Sequence, residues 1–155
     1  MKMGIKSAIF SNFNSWREEL SGRKKFVVMN SPDSKDENGK IIVADDDPIN
    51  QQLISYQLNG LKKRLIFARD GFEALRLFQE TSDVRLVLMD VRMPGMSGVE
   101  ATQKILELDP QAKIIALSAF AEEENEFETS EVGFVDYVSK PIRRDDLLQV
   151  IAKYL

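Results

Sequence analysis

A chain of 155 residues, 43% of them hydrophobic, can fold one well-packed domain with a modest appendage, and two full domains would be cramped. It contains no cysteine and no histidine, which excludes disulfides, thiolate metal sites, a Ser-His-Asp triad, imidazole-bound zinc and any phosphohistidine of its own. The net charge of −4 gathers after residue 40, with no basic stripe, no apolar stretch near the roughly 20 residues of a membrane span and no signal-peptide core, so a cytoplasmic domain without direct nucleic-acid or membrane binding is expected.

In chain order, Ile5, Ile9, Phe10, Phe13, Trp16 and Leu20 line one side of a short helical pattern, and residues 25–29 have strand composition. Neither carries a recognisable site. The polar, turn-forming run 31–40 then reads as a linker, so residues 1–40 are expected to be an N-terminal extension and 41–155 the domain. Disorder, packing on the domain and the remnant of a preceding module all stay open for the extension.

From Ile41 onward, apolar runs at 41–44, 64–68, 86–89, 114–117 and 134–138 predict five strands. Helical patterns alternate with them at 48–58, 71–80, 98–108, 122–131 and 143–154. In the first helix Asp47 suits the N-cap and Pro48 the first turn, Ile49, Leu53, Ile54 and Leu58 are expected on one side, and Asn59-Gly60 ends it. Such βα units predict an α/β fold: an open parallel sheet with helices on both faces, binding its ligand at the strands' carboxyl ends.

Four of the five predicted strands deliver a polar group to that edge. The first runs into Asp45-Asp46-Asp47, the third ends at Asp90, the fourth at Ser118, and the fifth leads to Lys140-Pro141. Singly, each is an ordinary cap, turn acid, turn hydroxyl or surface cation. Together they describe a site. Three crowded carboxylates would repel one another and raise at least one pKa unless a divalent cation joined them, and Mg²⁺ suits an all-oxygen set that shares a phosphate.

The segments Ile42-Val43-Ala44-Asp45-Asp46, Met89-Asp90-Val91-Arg92-Met93-Pro94-Gly95-Met96-Ser97-Gly98, Ala116-Leu117-Ser118-Ala119 and Asp136-Tyr137-Val138-Ser139-Lys140-Pro141 resemble the response-regulator receiver (CheY-like) family. The resemblance covers roughly residues 41–155, and implies a doubly wound, flavodoxin-like sheet of order 2-1-3-4-5. It implies that Asp90 accepts a phosphoryl group from an external phosphohistidine, carried by a histidine kinase or a histidine phosphotransfer protein. Mg²⁺ would be held directly by Asp46 and Asp90, by Asp45 largely through water, and by the backbone carbonyl of Arg92. Lys140 and Ser118 would stabilise charge on the transferred group, and a cis Lys140-Pro141 peptide would aim the lysine inward. The module would catalyse its own phosphorylation and dephosphorylation without being a separate enzyme.

The resemblance further implies a switch in which Ser118 turns toward the phosphoryl group and Tyr137 moves inward. The readout surface would combine the fourth predicted helix, the fifth strand and the fifth helix, with a homodimer through it among the partners. Phe120 and Arg92 stand where the family tunes acyl-phosphate hydrolysis, and a bulky Phe120 is expected to prolong its lifetime relative to Phe120→Ala. Six glutamates crowd 122–131, which loosens that helix or makes an acidic docking face. The chain stops soon after the last helix, so a receiver without its own effector is expected, free-standing or part of a hybrid sensor kinase. The segments 46–50 and 98–102 look more like the hybrid and phosphorelay branch. Two rivals are a docking module that works without phosphorylation, and an aspartyl-phosphate phosphatase. The latter requires a second acid where Arg92 stands.

Overall fold

Short apolar runs that end in capped helices leave the chain few ways to fold other than by repeated βα crossovers. The computed structural model describes residues 39–119 and 131–155. Its strands are β1 (Lys40–Ala44), β2 (Leu65–Ala68), β3 (Val84–Asp90), β4 (Ile114–Ser118) and β5 (Asp136–Ser139). Its helices are α1 (Pro48–Gln57), α2 (Gly71–Glu80), α3 (Gly98–Leu108) and α4 (Arg144–Ile151), with a 3₁₀ turn at Asn59–Arg64 before β2. All strand pairs are parallel, in the order β2-β1-β3-β4-β5. No described helix is long and apolar enough to cross a membrane.

The central strands β1, β3 and β4 are covered on both faces, which is why they read as unbroken apolar runs. Ile41–Ala44, Leu86–Met89 and Ile114–Leu117 are all 0% exposed. Alternate residues serve opposite layers. Ile42, Ala44, Val87, Met89, Ile114 and Ala116 join Ala74 of α2 and Ala101 and Ile105 of α3 in one cluster. The intervening residues turn to the other layer, to which α1 and α4 bring Ile54, Leu147, Leu148 and Ile151, all buried. Each fully buried Leu or Ile contributes about 1.5–3 kcal/mol.

Side-chain caps set where the first three helices start. Asp47 Oδ1 accepts the Ile49 N–H at 2.8 Å, Asp70 Oδ1 that of Glu73 at 2.8 Å, and Ser97 Oγ that of Glu100 at 3.2 Å. Each cap is worth about 1 kcal/mol and turns the chain just past a strand exit.

Several expectations need correction. In α1, Ile54 is buried and Leu58 follows it inward, but Ile49 is 72% and Leu53 39% exposed, so the four do not share a side. The inner face is completed instead by the amides of Asn50, Gln51 and Gln57, which find partners there. Lys40, assigned to the linker, opens β1, while Arg64 belongs to the 3₁₀ turn that continues past Asn59-Gly60. β5 starts at Asp136 rather than 134, and α4 ends at Ile151. Its last residues tighten because Lys153 Nζ meets Asp136 Oδ2 at 2.9 Å and the Tyr154 hydroxyl donates to the Val135 carbonyl at 2.7 Å. The helical pattern at 5–20, the strand pattern at 25–29, Phe120 and the helix at 122–131, except Glu131, lie outside the described residues.

Candidate functional site

Strand register decides which exit groups become neighbours. Ala44 pairs with Met89, so Asp45 follows beside Asp90; Asp90 itself pairs with Leu117, which precedes Ser118. Ser118 pairs with Ser139, and the Lys140 N–H donates to the Ser118 carbonyl at 2.6 Å. The Lys140-Pro141 peptide is cis. Asp45, Asp46, Asp90, Ser118 and Lys140 therefore meet at one edge, as the strand exits suggested.

The acids differ in depth. Asp45 is 0% and Asp90 5% exposed, whereas Asp46 is open to solvent. Carboxylate oxygens of the three lie within 4.8 Å of one another. Lys140 Nζ bridges the two buried ones, 3.1 Å from Asp45 Oδ2 and 3.0 Å from Asp90 Oδ2. The Arg92 N–H donates to Asp90 Oδ1 at 3.1 Å. A cavity of about 240 Å³ opens over the group, lined by Asp46, Asp90, Arg92, Ser118 and Lys140 with Val91, Leu117 and Ala119. Asp45 does not line it and stands behind.

Burial pushes the Asp90 carboxyl above the usual carboxylate range, and Asp45 adds to this, against the pull of Lys140 and the Arg92 N–H. Burial works against the Lys140 ammonium too, but its bonds to Asp90 and Asp45 outweigh it and hold its pKa up. Lys140 has two carboxylate partners and Asp90 one cation, so the different outcomes are consistent. Three carboxylates crowd around one bridging ammonium, and a divalent cation would offset their mutual repulsion. The donors are all hard oxygens, two of them facing the cavity, and this set fits Mg²⁺.

Tyr137 is half-buried on β5 and packs against the α2–α3 side of the core. Three residues have supporting roles that the reading of the sequence did not assign. Asn50 Nδ2 reaches both Asp45 oxygens at 3.3 Å, and Gln51 Nε2 donates to the Asp45 carbonyl at 2.7 Å and the Ala68 carbonyl at 3.0 Å. Their place in the first turns of a helix that starts beside the acids was the available signal. The third is Gly98, where a Cβ would lie 1.9 Å from the Asp90 carbonyl oxygen, so only glycine lets α3 begin against β3.

Residues 41–152 match the family model described as the response regulator receiver domain. The chain is similar to the sensor histidine kinase RcsC of Salmonella typhi, 36% identical over 114 residues, which are 74% of this chain and 12% of that protein. The chain thus spans about an eighth of that relative's length. Among solved structures it resembles the response regulator TrrA of Thermotoga maritima in complex with Mg²⁺-BeF, at 32% identity and TM-score 0.67, covering 76% of this chain and 99% of that one. It also resembles the Saccharomyces cerevisiae co-crystal of the histidine phosphotransfer protein Ypd1 with the receiver domain of Ssk1, at 25% identity and TM-score 0.69, covering 76% and 88%. With a family match that runs across nearly the whole sheet and the acid cluster at its edge, the chain belongs to the response regulator receiver domains of two-component signalling.

Proposed function

We propose that this receiver takes a phosphoryl group from a phosphohistidine onto Asp90, with Mg²⁺ held by Asp45, Asp46, Asp90 and the backbone carbonyl of Arg92. The observation that carries the reading is Asp90 itself: 5% exposed, at the floor of a cavity, with an ammonium 3.0 Å away and two further acids beside it. Bound Mg²⁺ would neutralise charge on the transferred group. An Asp90 carboxylate oxygen attacks phosphorus in line, the P–N bond to the donor imidazole breaks, and the imidazole nitrogen leaves with the bonding pair and takes up a proton. Lys140, and Ser118 once it turns, meet the equatorial oxygens. Water attacking phosphorus later reverses the modification.

This chain has no histidine, so the donor lies outside this sequence. A histidine kinase or a histidine phosphotransfer protein is the partner we infer, supported by the likeness to Ssk1, whose co-crystal holds such a protein, and to the kinase RcsC. We place the exchange in the cytoplasm, where an ATP-driven donor operates. Residues 40–155, from the Lys40 that opens β1, are the receiver unit and 1–39 its extension. The added dianion would draw Ser118 over, let Tyr137 move inward and alter the surface around β5 and α4, where effectors or a second copy dock.

Incubation with acetyl phosphate and Mg²⁺ followed by intact-mass measurement tests this. A single phosphoryl adduct that disappears in chelator is expected. No adduct on the wild-type chain would favour docking without phosphorylation.

A further inference from the structure

Gln57, in the last turn of α1, is 8% exposed and has fully buried apolar neighbours in Ile54 and Leu58. Its Nε2 donates to the Ile142 carbonyl at 2.9 Å, across 85 residues of sequence. Among the described residues its Oε1 has no hydrogen-bond partner. A leucine here would fill the same space but take its donor from the Ile142 carbonyl, so the amide is explained by that bond and not by packing.

The bond it makes reaches the turn that carries Lys140. Ile142 stands two residues after that lysine and is itself 5% exposed. The same helix holds the other side of the site, through Asn50 on the Asp45 carboxylate and Gln51 on the Asp45 carbonyl. One helix thus grips both the acid end and the ammonium end. We propose that Gln57 is a positioning residue, which pins the turn after β5 through the Ile142 carbonyl and so sets the distance from Lys140 to a group on Asp90. This rests on the reading of Asp90 as phosphoacceptor.

The test compares Mg²⁺ affinity, beryllofluoride affinity at saturating Mg²⁺, and the thermal midpoint in the full chain and in Gln57→Met, with Gln57→Leu as a second variant should the first fold poorly. Lys140 is not a Mg²⁺ ligand but would meet the fluoroberyllate, so the two affinities separate positioning from general damage. Mg²⁺ affinity within about twofold of wild type and beryllofluoride affinity weaker by about tenfold are expected. Adding Lys140→Ala to Gln57→Met should weaken beryllofluoride binding by less than Lys140→Ala does alone. Unchanged beryllofluoride affinity, or both affinities falling together with the midpoint, would overturn the role. A wild-type chain that binds Mg²⁺ but no beryllofluoride would instead overturn the reading of Asp90 beneath it.

Discussion

Asp90 is held in a conflict that the fold maintains. Burial disfavours its charge, and Lys140 and the Arg92 N–H only partly offset this. Because its folded pKa lies above the unfolded one, the group's contribution to stability is complete below the unfolded pKa and lost as pH rises through the folded pKa. In metal-free buffer, Asp90→Asn should therefore raise stability at neutral pH by about 0.5–2 kcal/mol, the usual size of a stabilising substitution. The gain should shrink as pH falls through the carboxylate range, where wild-type Asp90 is neutral as well. Chemical denaturation at several pH values measures this; a loss at neutral pH, or a gain independent of pH, would contradict it. Gly98 tests the same residue from behind. In Gly98→Ala the new methyl meets the Asp90 carbonyl, and the strain should cost about 1–3 kcal/mol and weaken Mg²⁺ binding, read by denaturation and calorimetry.

At the scale of elements, α1 presents two faces with different work. Inward, it places amides on backbone carbonyls and on Asp45; outward, it leaves Ile49 and Tyr56 at 72% and 81% exposure, Ile49 in the turn that follows Asp46 and Tyr56 in the helix's last turn. On the reading proposed above, this exposed apolar strip is where a protein phosphoryl donor would dock. Ile49→Ser and Tyr56→Ser should each change stability by less than about 0.5 kcal/mol and slow transfer from a phosphohistidine protein about tenfold. Labelling by acetyl phosphate should stay at the wild-type rate, and a parallel loss of both would place the defect in the site. These two faces explain what was legible in the sequence. The strand exits could be read because each polar group follows an unbroken apolar run, and α2 and α3 because their helical periodicity is regular. The inner face of α1 could not be read from periodicity. It is buried partly by amides, whose partners are carbonyls brought from β2 and from the turn after β5 by the crossing of the helix. The pairing of Asp45 with Asp90 also required strand order, which the family resemblance supplied and residue patterns did not.

Across the whole molecule, three acids gather with Lys140 at one edge of an acidic domain, and the carboxylates outnumber the one ammonium that bridges two of them. A ligand that binds only the folded state stabilises it by mass action. Mg²⁺ at about a hundred times its dissociation constant should add about 2.7 kcal/mol to wild-type stability, and Asp46→Asn should lose most of that gain. A thermal-shift titration checks both, and an equal Mg²⁺ response in the variant would remove Asp46 from the ligand set. The central claim concerns where the phosphoryl group goes. The most direct measurement is to label the chain with acetyl phosphate and Mg²⁺, trap the acyl phosphate by borohydride reduction, and map the modified peptide in wild type and Asp90→Asn. Modification at Asp90 in the wild type and none in the variant is predicted. Modification elsewhere, or equal labelling of Asp90→Asn, would contradict the account.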